Sequence, residues 1–118
     1  ILNELSIKVK STKQKVEFLS GGQRQSIAIG KAISSKPEVL IMDEPTSALA
    51  IAEVESVLRL INEVKKRGVS VILITHRLQD LFKVCDRVTV MFEGKDVADK
   101  SIQELDLNKL VSLIVQEH

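Results

Sequence analysis

Three short stretches carry residue types that could handle a phosphate. Ser20–Gly21–Gly22–Gln23 sets a hydroxyl and two side-chain-free amides where a helix should begin, so backbone N–H groups can meet an anion. Asp43–Glu44 places two carboxylates at the end of the apolar run Val39–Met42. In an open α/β sheet, ligands gather at that end of a strand. Beside a nucleotide, Asp43 would hold Mg²⁺ through water, and Glu44 could polarise an attacking water. His76 closes a second apolar run and could donate to a phosphate oxygen. Each stretch also has a bland reading: an ordinary Gly-containing loop, a solvated acidic turn or helix cap, and a partly exposed strand end.

The elements that must position these residues follow from periodicity. From Gln23, apolar residues recur at helical spacing, with Ile27, Ala28, Ala32 and Ile33 expected inside, and Pro37 should stop the helix near Ser34–Lys36. Glycine in a helix costs about 1 kcal/mol relative to Ala, so two in the first turn require a reason. Val39–Met42 and Val69–Thr75 read as parallel strands buried on both faces. Between them Ile51, Val54, Val57, Leu58, Ile61 and Val64 predict an amphipathic helix, stopped at Gly68. Leu78, Leu81, Phe82 and Cys85 predict a short helix, and Asp86–Phe92 a further strand. The turn Glu93–Gly94–Lys95 leads to a partner strand near Asp96–Asp99. Ser101–Glu104 fits a capping box, and Leu107, Leu110, Val111 and Ile114 predict a closing helix with Asp106 at its start. The strand–helix–strand order calls for a parallel sheet with right-handed crossovers. At the other end, Ile1–Val9 reads as the tail of a helix and Lys10–Val16 as a polar loop.

Composition narrows the function classes. The 118 residues suit one domain or part of one, and 44% hydrophobic residues support a core. Seventeen basic and sixteen acidic residues leave a formal charge of +1, so no global field favours nucleic acid. Lys65–Lys66–Arg67 closes a helix and complements its dipole. One cysteine, Cys85, excludes an intramolecular disulfide and reads as core filler. No apolar run approaches the roughly 20 residues of a membrane span. Ile1–Val9 has no signal-peptide pattern, and a chain opening on Ile reads as a processed or truncated piece.

In order and spacing, the motifs resemble those of the ATP-binding cassette (ABC) transporter ATPase family. Leu19–Gln23 matches its LSGGQ signature, Val39–Glu44 its Walker B strand, Ser47–Ala48–Leu49 most of its D-loop, and His76 its switch histidine. The resemblance implies an α/β, P-loop NTPase-type parallel sheet flanked by helices. Residues 1–36 would close a helical signature subdomain, and 37–118 would form the C-terminal part of a RecA-like nucleotide-binding core. It implies that Ser20, Gly21, Gly22 and Gln23 face the γ-phosphate of ATP bound to a partner subunit. Asp43 would serve Mg²⁺, Glu44 would be the general base and His76 a γ-phosphate sensor. Ser47, Ala48, Leu49 and Ala50 would couple the two sites of a head-to-tail dimer.

Two departures matter. Position 50 is Ala where the D-loop commonly has Asp. No Gly-x-x-x-x-Gly-Lys-Ser/Thr occurs: Gly30–Lys31 and Gly94–Lys95 lack the upstream glycine. This reads as the C-terminal half of a cassette without its Walker A strand and loop, inactive alone. In the family that strand lies between the strands ending at His76 and beginning at Asp86, so apolar edges should flank a gap. The Glu93–Lys95 turn and Ser101–Leu105 look most like sugar-import cassettes. The implied protein is an ATPase on the inner face of a membrane, working with permease subunits and no nucleic acid. Alternatives are a soluble cassette ATPase of DNA repair or translation, and a non-catalytic interaction fragment.

Overall fold

The computed structural model describes residues 20–116. The expected N-terminal helix tail and loop, and Leu19 of the signature, lie outside them. The elements run α1 (Gly21–Ser34), β1 (Val39–Asp43), α2 (Ile51–Lys66), β2 (Ser70–Ile74), α3 (Leu78–Val84), β3 (Arg87–Phe92), β4 (Lys95–Ser101), a single 3₁₀ turn (Ile102–Glu104) and α4 (Leu107–Val115). Two compact units divide them, one ending at Thr75 and the other starting at His76.

In the first unit, β1 and β2 pair in parallel, from Val39 opposite Ser70 to Asp43 opposite Ile74. The connection is α2, whose apolar stripe Val54, Val57, Leu58, Ile61 and Val64 is at most 3% exposed. Burying each such side chain stabilises the fold by about 1.5–3 kcal/mol. Leu60 is also buried, whereas Ile51, expected inside, is the first residue of α2 and 82% exposed. Gly68 ends the helix region at φ 88°, donating its N–H to the Lys65 carbonyl at 3.0 Å. Lys65 and Lys66 lie in the last turn, as the dipole favours.

The strands differ from their sequence reading. Met42 is buried, and Leu40, Val71 and Leu73 are half-buried on the same face, but Val39, Ile41, Ile72 and Ile74 are about half exposed on the other. A continuous apolar run reads as two-sided burial, yet α2 covers a single face and no described residue of this unit covers its opposite.

Helix α1 packs on α2 and stops at Ser34, as Pro37 requires. Lys36, just before that proline, turns into the left-handed region at φ 54° and donates its N–H to the Ile33 carbonyl at 2.8 Å. The inward face is rotated from the expected one. Gly22, Ile29 and Gly30 are buried and Ala28 is exposed, because the contact at Gly22 decides which side of α1 meets α2.

In the second unit, β3 and β4 form an antiparallel hairpin closed by Glu93 and Gly94, at φ 49° and 80°. Two successive positive φ values suit the twist of a tight two-residue hairpin. Arg87 bonds Asp99 across the ladder through Nε at 2.7 Å and Nη2 at 3.1 Å, and this pairing raises the Arg87 pKa. The described strands make two two-stranded sheets, one in each unit, and only the first is parallel. Ser101 caps one 3₁₀ turn by accepting from Gln103 N–H at 3.4 Å, which is shorter than the helix a capping box would open. Asp106 caps α4, accepting from Lys109 N–H at 2.8 Å. Leu81, Val84, Val88 and Leu110 form the core of this unit.

Candidate functional site

Ser20 does begin a helix. Its hydroxyl accepts from Gln23 N–H at 3.1 Å, while Gln23 Oε1 accepts from Ser20 N–H at 3.1 Å. This reciprocal pair fixes the backbone of the turn and leaves Gly21 at the surface and Gly22 buried. Neither glycine adopts positive φ; what requires them is space. A Cβ on Gly21 would lie 2.9 Å from Leu49 Cδ2, and one on Gly22 would lie 2.8 Å from Glu53 Cβ. The glycines therefore let α1 come down on Leu49 and on the first turn of α2. The signature turn and the Ser47–Ala50 segment are neighbours within one unit.

Glu53 is the residue that sequence reasoning missed. Its Oε2 accepts from Gly22 N–H at 2.5 Å and its Oε1 from Ala50 N–H at 3.3 Å. The Gly22 bond, then the Ala50 bond, holds the carboxyl below the usual glutamate range, against the opposing cost of burial. Glu53 is the third residue of α2, where a glutamate reaches back to the helix start. Ala50 at the cap hid this pattern, because it has no side-chain acceptor for the other half of the box.

The carboxylates stand at the C-terminal end of the parallel pair. Asp43 is the last residue of β1 and exposed. Glu44 donates its N–H to the Ile74 carbonyl at 2.7 Å, so the ladder runs one residue past the strand. Glu44 then takes φ 51°, a left-handed conformation that costs a non-glycine residue about 1–3 kcal/mol. That turn lifts its carboxylate out of strand alternation. Thr75 Oγ1 lies 3.5 Å from Glu44 Oε2, a long contact that brings the ends of β1 and β2 together. Beyond it Thr46 is buried, Ser47 N–H reaches the Glu44 carbonyl at 3.2 Å, and Ala48 also has positive φ, 62°. His76 is exposed at a bend and opens the second unit.

Mg²⁺ takes one or two protein carboxylates and completes its shell with phosphate and water. An exposed Asp43 fits that demand. Among the described residues no group of three or more His, Cys, Asp or Glu is placed to cage a metal.

Comparison with known proteins points to one family. Residues 1–47 match the family described as ABC transporter. The ribose import ATP-binding protein RbsA of Bacillus cereus is 41% identical over 97% of this chain, which spans 23% of that protein. The galactose/methyl galactoside import ATP-binding protein MglA of Haemophilus influenzae is 39% identical over 98% of the chain and 22% of its own length. Among solved structures, the ADP conformation of MJ1267, an ATP-binding cassette of an ABC transporter, superposes with a TM-score of 0.80. It is 28% identical, over 98% of this chain and 47% of that one. The chain thus spans under a quarter of the two curated relatives and about half of a solved cassette. With the signature turn, the strand-end carboxylates and these relatives in agreement, the chain belongs to the ABC transporter ATPase family.

Proposed function

We propose that this chain forms part of the ATP-hydrolysing subunit of a sugar importer, and that its signature turn completes an ATP site on a partner subunit. Ser20, Gly21, Gly22 and Gln23 would meet the γ-phosphate across a head-to-tail dimer. Asp43 would hold Mg²⁺, which when bound offsets phosphate charge. Glu44 would take the proton from the attacking water, and His76 would donate to the γ-phosphate. Ser47–Ala50 would carry the state of one site to the other. Residues 1–36 would belong to the helical subdomain and 37–118 to the nucleotide-binding core.

One observation supports this reading most: a hydroxyl-capped, glycine-opened helix start and a carboxylate turned out of its strand occur within one unit. The sugar-import names of the relatives suggest the transported class. Among the described residues no helix is long and apolar enough to cross a membrane. By the import names of those relatives, the subunit would lie against permease subunits on the inner face of a membrane and need them for transport. The absent Gly-x-x-x-x-Gly-Lys-Ser/Thr motif implies that these 118 residues alone neither bind ATP tightly nor turn it over.

Ser20→Glu in the ATP-hydrolysing subunit tests the trans reading. The added charge should block ATP-driven dimer formation and turnover while ATP binding to the monomer persists. Retained turnover would contradict it.

A further inference from the structure

The signature turn already holds an anion, and that anion comes from its own chain. Gly22 N–H, one of the donors the turn can offer a phosphate, is bonded at 2.5 Å to Glu53 Oε2. The fit is specific: a Cβ at position 22 would lie 2.9 Å from that oxygen and 2.8 Å from Glu53 Cβ. The opposite carboxylate oxygen is anchored on Ala50 N–H at 3.3 Å, where the D-loop segment enters α2. A backbone N–H bonded to a carboxylate is among the stronger hydrogen bonds. A second anion arriving at the same N–H must displace the first and meets like charge while doing so.

We propose that Glu53 is a built-in competitor for the signature turn, closing Gly22 N–H until a partner's phosphate displaces it. The inference rests on reading Ser20–Gln23 as a phosphate site. Displacement needs only rotation about the side-chain bonds of Glu53. Its Oε1 can keep Ala50 N–H while Oε2 leaves Gly22, so the start of α2 stays capped. The arriving phosphate thereby acts on the residue that bridges the signature turn and the D-loop segment. In this chain the D-loop position 50 is Ala50, with no carboxylate of its own.

The test uses the ATP-hydrolysing subunit with Glu44→Gln, and follows dimer formation against ATP concentration by analytical ultracentrifugation. Glu53→Gln keeps the size and a carbonyl acceptor but removes the charge; Glu53→Ala removes both. In both variants the ATP concentration for half-maximal dimer should fall, by roughly two- to fivefold for a partly exposed charge. The advantage of Glu53→Gln should shrink as salt is raised, which a purely structural change would not produce. An unchanged or higher ATP requirement in Glu53→Gln overturns the inference and leaves Glu53 a brace between α1 and α2. Ser20→Glu separates the two readings. If it blocks the dimer while Glu53→Gln changes nothing, only the competitor role falls. If it dimerises like its parent, the phosphate reading fails and the competitor role fails with it.

Discussion

At the scale of single residues, the site depends on groups held in conformations their neighbours enforce. Glu44 and Ala48 sit in the left-handed region on either side of the buried Thr46, so the turn after β1 stores strain where the chemistry is proposed. Glu53 is the residue whose protonation should be felt. Bonds from Gly22 and Ala50 favour its charged form, so their contribution is fully present above the ordinary glutamate value of about 4.5. It is lost as pH falls through the lower folded value. The Gly22 amide resonance should therefore hold steady from neutral pH down to about 5 and shift only in stronger acid. In Glu53→Gln that acid-induced shift should be absent. Gly22→Ala places a Cβ against Glu53 and should lower thermal stability as well as open the Gly22–Glu53 contact. An unshifted melting temperature would show that α1 can back away at no cost.

At the scale of elements, α2 holds the first unit together. Ile61 is 1% exposed beneath the parallel pair, and Ile61→Ala should cost about 2–5 kcal/mol in a denaturant titration. Asp106→Ala removes the α4 cap and should cost about 1 kcal/mol in the same kind of titration. Most element positions were legible in the sequence because period and punctuation agreed: Pro37 after α1, Gly68 after α2, and Glu93–Gly94 between β3 and β4. The signature, the carboxylates and His76 were legible as residue types in order. What was not legible came from tertiary contact. The face of α1 is set by Gly22 against Glu53, so Ala28, expected inside, is exposed, and Ile29 is buried instead. Strand burial depends on how many layers cover the sheet, which an apolar run cannot count. Glu53 escaped notice because a single glutamate in a helix's first turn is commonplace until a distant glycine is seen to sit on it.

At the scale of the whole molecule, two compact units each leave apolar surface open. Val39, Ile41, Ile72 and Ile74 line the uncovered face of the parallel pair, and Met91, Phe92, Val111 and Ile114 are exposed in the second unit. Surface of this kind seeks a partner or associates with itself. The 118-residue chain alone should self-associate and bind a hydrophobic dye, and Ile41→Lys should reduce both. A monomer that binds no dye would show that these faces are covered in solution. Catalysis is proposed to occur across a dimer, with Glu44 as base and the signature turn as the partner's phosphate clamp. The most direct test is ATP turnover and dimer content measured together in the Glu44→Gln subunit. Hydrolysis should be lost while ATP-bound dimers accumulate; continued turnover at the parent rate would contradict the account.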